Sequence, residues 1–266
     1  MTHGTSSSRT GRRRDGGGFT GALLHLVALG LFVGLWQALV HFKVYRFGYI
    51  PSVPDVVAAA AQYLSSMGFL TDVGSSAVRV AIAWSIAALV GIPLGLLIGW
   101  KRAVNDLVFP ALELLRPIPP IAWIPAAILF FTNVEVGVVF ICFLGAFFPI
   151  VLNTIVGVTE IDTTYFRAAG CLGASDRQVF RDVVVRGAMP SIVIGLAVGM
   201  GVCWMAVVAG EMIAGEHGLG YMIWEAYSLA QYPLIIVGMV VIGAVGAVMS
   251  YGIRVLGTRL IRWQGH

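Results

Sequence analysis

Six stretches of this chain run for 18 residues or more without a Lys, Arg, Asp or Glu: 17–42, 80–100, 117–134, 136–159, 187–210 and 226–253. A 20-residue helix covers about 30 Å, the hydrocarbon thickness of a bilayer. Five of the stretches reach that length; the third, "PIPPIAWIPAAILFFTNV", is shorter and rich in proline. Only 11% of the residues are charged, against about 25% in soluble domains. With 58% hydrophobic residues and a mean hydropathy of +0.89, a water-soluble globule would be left with uncovered apolar surface. The pattern predicts an all-α polytopic membrane protein with six transmembrane helices in a lipid bilayer.

The basic residues orient those helices. With the N-terminus placed in the cytoplasm, the inside segments hold 14 of the 17 Lys and Arg residues, leaving Lys43, Arg46 and Arg79 outside. Such a bias predicts both termini on the cytoplasmic side. The net charge of +4 then reports membrane orientation; the charges are scattered over short loops and form no nucleic-acid-binding patch. Residues 1–18 read as a disordered cytoplasmic tail and 19–266 as the transmembrane domain. The apolar run after the tail is too long for a signal peptide and reads as a retained first helix. His25 within it reads as a packed or interfacial residue. Cys142, Cys171 and Cys203 offer neither a disulfide framework nor metal-ligand spacing.

Between the first two expected spans, 43–79 reads as an external segment. Within it Asp55 opens an amphipathic helix lying on the outer face. The second span carries Gly91, Gly95 and Gly99 at intervals of four, which permits close helix packing inside the chain. Residues 103–116 read as a short surface helix leading into the third span. There Pro117, Pro119, Pro120 and Pro125 each remove an amide donor. Carbonyls freed at membrane depth must be covered by protein or line a wet cavity, so Pro119 and Pro120, with Pro149 in the fourth span, mark either a translocation path or simple kinks. Glu211, followed by Met212, ends the charge-free run of the fifth span. It is either a wetted interfacial acid or a group facing the pathway; the glycines of "MIAGEHGLGYMIW" suit a looping backbone that serves as an external gate.

The stretch "RAAGCLGASDRQVFRDVVVRGAMP" puts Arg167, Arg177, Arg181 and Arg186 between two apolar runs. Residues 163–188 are expected to form two short cytoplasmic helices. Gly173 permits the turn that ends the first. Ser175 can cap the second, with Gln178 completing a capping box. Phe180 joins an apolar stripe opposed by Arg177 and Arg181, and Pro190 is placed near the first turn of the next span. Ala168 and Ala169 leave one side of the first helix smooth beside Arg167. That shape suits either insertion into a groove of another protein or a tight loop packed on its own spans.

These residues resemble the cytoplasmic loop of binding-protein-dependent ABC importer permeases. Ala168, Ala169 and Gly173 match its spacing, and Val183 and Val185 stand where Ile and Leu are usual. Arg167 stands in place of an acid and Arg186 in place of a proline. Further segments, "YIPSVPDV", "GIPLGLLIGW", "LRPIPPIAWIPAAILFF", "LGAFFPIVLNTIVGV" and "AGEMIAGEHGLGYMIW", are similar to the nitrate, sulfonate and taurine group of this family. The resemblance implies a type I ABC importer permease-like bundle that binds ABC ATPase subunits through 163–188. It further implies a second permease copy, as a homodimer, and an extracytoplasmic solute-binding protein. The implied cargo is a sulfonate, taurine or nitrate, or else a thiamine-precursor pyrimidine or another organic solute.

A P-loop needs Gly-Lys-Ser/Thr, and the chain's two lysines, Lys43 and Lys101, lie in no such context. Any ATP is therefore expected on the partner ATPase, with no cofactor or metal in this chain. A secondary transporter or channel is the rival class, although no paired inverted half is evident. An intramembrane enzyme lacks support, because no HExxH, G-x-S-x-G or catalytic acid pair occurs.

Overall fold

The computed structural model describes residues 17–42 and 50–260. The expected tail falls in large part on residues 1–16, outside the described residues, and the reading of the His25 side chain likewise lies outside them. The chain divides into two compact units at Val57 and Ala58.

In the first unit α1, Gly17–His41, is a helix of 25 residues. Gln37 accepts the Val53 backbone N–H at 3.0 Å. Helix α2, Val53–Leu64, begins at a reciprocal cap. Ser52 donates its hydroxyl to Asp55 Oδ2 at 2.6 Å, and the same oxygen accepts the Ser52 backbone N–H at 3.3 Å. Asp55 thus sits in the first turn of α2, as its position after two prolines predicts.

The second unit is built on α3 (Met67–Trp100), α6 (Val134–Thr159) and α9 (Arg186–Ala214). Apolar helices in a bilayer gain nothing by hiding from lipid, so their association depends on close van der Waals fit. Small residues provide it. A Cβ on Gly95 would lie 2.7 Å from Thr154 Cβ and 2.8 Å from the Val151 carbonyl oxygen, and one on Gly99 would lie 2.7 Å from Val158 Cβ. The three glycines of α3 therefore seat α6 within the same chain, the packing expected of them. Between these seams, Leu96, Val158, Val184, Ala188 and Ile192 form one buried cluster, and Ile98, Leu112, Val151 and Ile155 another. Trp84 Nε1 ties α3 to α9 by donating to the Leu196 carbonyl at 2.9 Å.

Several expected spans differ from the observed helices. The second begins at Met67, not residue 80, so Arg79 lies inside a 34-residue helix. Arg79 tolerates that position because it is ion-paired there. The third does not form one helix. Helix α4, Arg102–Leu115, is followed by a 3-10 turn, Pro120–Trp123, and then by α5, Ile124–Phe130. The two arms bend by 87°. Pro117, Pro119 and Pro120 cause the break: prolines lack the amide for a helical bond and push preceding residues toward extended backbone. The sixth expected span, 226–253, is the single helix α11, Tyr232–Leu260, starting six residues later than expected because α10, Leu219–Ser228, and a turn precede it. Among the described residues four helices are long and apolar enough to cross a bilayer, or five with the bent pair counted as one, where six were expected.

Candidate functional site

The polar insert begins at Asp162, whose Oδ1 accepts the Thr164 backbone N–H at 2.8 Å. That bond holds the Asp162 carboxyl below its ordinary range. Helix α7, Thr163–Cys171, then ends in a Schellman turn. Ala174 N–H donates to the Ala169 carbonyl and Gly173 N–H to that of Gly170, both at 3.0 Å. Gly173 takes φ +72°, the left-handed conformation that such a turn demands. Ser175 and Gln178 form the expected capping box, with the Ser175 N–H on Gln178 Oε1 at 2.8 Å.

The second helix is not a separate element. Helix α8, Asp176–Val179, runs through a widened π turn, Phe180–Val185, into α9 without a break. Asp176–Ala214 is thus one 39-residue helix, and Pro190 lies well inside it rather than near its start. No glycine or proline interrupts residues 176–186, so nothing stops the helix there. The π turn spreads the backbone bonds just upstream of the missing amide at Pro190.

Arg167, Ala168, Leu172 and Gly173 are exposed, and Ala169 is partly covered. Phe166 and Phe180 anchor the insert on the Leu96, Val158 and Val184 cluster. The Phe180 ring lies 4.7 Å from that of Trp100, and Lys101 Nζ lies 3.7 Å from Asp176. Ser175, Arg177 and Phe180 line a shallow cavity of about 560 Å³. Pro190 lines another, of about 760 Å³, beside Asp162, Tyr165, Asp182 and Arg186.

The proline residues singled out for a pathway converge. Pro119, Pro120 and Pro149 line one cavity of about 370 Å³, with Gly145, Asn153 and Arg116 also in its wall. Pro149 sits inside α6 and deprives the Gly145 carbonyl of its helical donor. Asn153 Nδ2 donates to the Pro149 carbonyl at 2.8 Å. A carbonyl freed at membrane depth thus belongs to a residue that faces a cavity, one of the two arrangements the medium allows.

Glu211 is neither wetted nor cavity-facing. It is 0% exposed. Its carboxylate accepts Ser76 Oγ at 2.8 Å, Arg79 Nη1 at 2.7 Å and the Gly220 N–H at 2.9 Å. Arg79 also donates Nε to Glu135 at 2.6 Å and Nη1 to the His217 carbonyl at 2.7 Å. One cation and two acids thereby clamp the body of α3 to the start of α6, the end of α9 and the turn into α10. Gly218, at φ +123°, allows that turn; a Cβ there would lie 2.5 Å from the Glu211 carboxyl carbon. Met212, next along, is half-buried. Nearby, Tyr63 donates to Asp72 Oδ2 at 2.7 Å, and burial, followed by that bond, raises the Tyr63 hydroxyl pKa. Sequence reasoning missed Ser76, Arg79 and Glu135. A signal was present: Ser76, Arg79, Ala83 and Ala87 recur at helical spacing, all buried on one face of α3.

The described residues thus form long apolar helices with a polar insert leading into one of them. Residues 91–264 match the family of binding-protein-dependent transport system inner membrane components, and the chain belongs to that family. It is 36% identical over 194 residues to a nitrate import permease protein of Synechocystis, covering 73% of this chain and 70% of that one. It is 30% identical over 247 residues to the taurine transport system permease protein of Escherichia coli, covering 91% and 90%. Its fold is similar to a chain of the MetNI methionine ABC transporter, with a TM-score of 0.57 at 19% identity over 72% of this chain and 94% of that one.

Proposed function

We propose that this chain is the permease subunit of an ATP-driven importer for a small anion of the nitrate, taurine or sulfonate kind. Residues 163–188 dock a separate ATPase, which binds the ATP; an external binding protein delivers the solute; a second copy completes the pathway. Both termini lie in the cytoplasm, in agreement with the distribution of Lys and Arg. The nitrate and taurine permeases to which the chain is similar support the cargo class.

One observation carries the reading. The Schellman turn at Gly173 holds α7 with Arg167, Ala168 and Leu172 exposed, and the same insert continues as unbroken helix into α9. A partner seated on α7 would push directly on a span. The test is co-purification of the ATPase and uptake by reconstituted liposomes. Ala168→Trp adds bulk to an exposed face without disturbing the fold, and Gly173→Val strains the turn by about 1 kcal/mol or more. Both variants should insert normally and then lose ATPase binding or uncouple hydrolysis from uptake. Normal binding and transport by both would reduce the insert to a connecting loop.

A further inference from the structure

We infer that the cavity between the α4–α5 bend, α6 and α9 holds an oxyanion subsite, with Arg116 as its cation and Asn153 as a hydrogen-bond donor. The inference rests on the permease reading above and assigns its cargo a place. Arg116 closes α4 and is exposed. Among the described residues it makes no ion pair, not even with Glu113 three positions earlier. It is the one charged residue lining the cavity, and no acid shares the wall. A lone cation beside apolar side chains such as Phe148 and Leu152, with no acid to offset it, gives the cavity a positive potential.

The polar partner is also in place. Asn153 spends one amide N–H on the Pro149 carbonyl, which leaves its second free to donate. A planar guanidinium and an amide N–H together suit nitrate or a sulfonate, whose oxygens only accept hydrogen bonds. The cavity volume, about 370 Å³, falls at the small end of ligand pockets.

The test places a reporter thiol in the wall. Val198→Cys lines the cavity, and Cys171→Ser removes the exposed native thiol, while Cys142 and Cys203 are buried. Labelling rates are measured on the full complex with an anionic and a cationic methanethiosulfonate. The anionic reagent should react faster, and Arg116→Gln should lower the anionic-to-cationic ratio by about tenfold, whereas Arg116→Lys should preserve it. Arg102→Gln, on α4 but outside the cavity wall, should leave the ratio unchanged. Nitrate and taurine, added separately, should slow labelling, and whichever protects distinguishes an inorganic oxyanion from a sulfonate. An unchanged ratio in Arg116→Gln, or a thiol that never reacts, overturns the subsite. Liposome uptake separates this outcome from failure of the permease reading: ATP-driven import with an unchanged ratio rejects the subsite alone, whereas absence of ATP-driven import of any solute rejects both.

Discussion

Replacing Glu211 by alanine should cost this chain roughly 2–6 kcal/mol of stability, because it leaves two buried donors without their acceptor. The structure shows how such a sum arises. The carboxylate is 0% exposed and takes donors from Ser76, Arg79 and Gly220. Alanine would leave the Ser76 hydroxyl and the Gly220 N–H without their acceptor, at about 1–3 kcal/mol each. Arg79 would keep Glu135 and the His217 carbonyl, so its charge would not be orphaned. The Glu135 side chain is 56% exposed, so Glu135→Gln should cost under about 1 kcal/mol. Thermal unfolding of the detergent-purified protein measures both; Glu211→Ala should lower the midpoint by roughly 10 °C and Glu135→Gln by a few degrees. Glu211→Ala with a wild-type midpoint, or the two variants equally impaired, would refute the assignment of Glu211 as the buried centre of the clamp.

Ala230 holds φ 55° in a second Schellman turn, where the Gln231 N–H meets the Ala226 carbonyl at 2.8 Å. Ala230→Gly should therefore raise stability by about 1 kcal/mol, read as a higher midpoint. Gly95→Val should separate α3 from α6, because its Cβ would meet backbone oxygen at 2.8 Å; a loss of about 3 kcal/mol or of folded yield is expected. Gly74→Ala, with open space around its Cβ, is the matched control and should fold normally.

Local chemistry made much of this molecule legible. Gly173, Ser175 and Gln178 announced a turn and a cap because the bonds that define them span five residues or fewer. The spacing of Gly91, Gly95 and Gly99 exposed a packing seam because helical geometry alone puts them on one face. What the sequence concealed depends on distant partners. A single Arg79 ended the charge-free window at residue 80, yet its acids lie 56 and 132 positions away. A buried charge looks like a boundary until its counter-charges are known. Pro190 misled for the opposite reason: it suggested a helix start, but the helix that begins at Asp176 already runs through it. The proline segment was expected to be one span, kinked at most; it is instead a 3-10 turn and a short helix set at 87° to α4, a break that its prolines permit but whose angle no local signal fixes.

Under the docking proposed for α7, the unbroken helix from Asp176 to Ala214 would serve as a lever arm. Its 39 residues extend about 58 Å, with no loop along the way to absorb displacement. From the π turn to Ala214 the arm measures about 48 Å, so a tilt of 5° at the insert would displace the far end by about 4 Å. That far end is where Glu211 is held. A small rotation imposed near Phe180 would therefore arrive, magnified, at the Glu211 clamp.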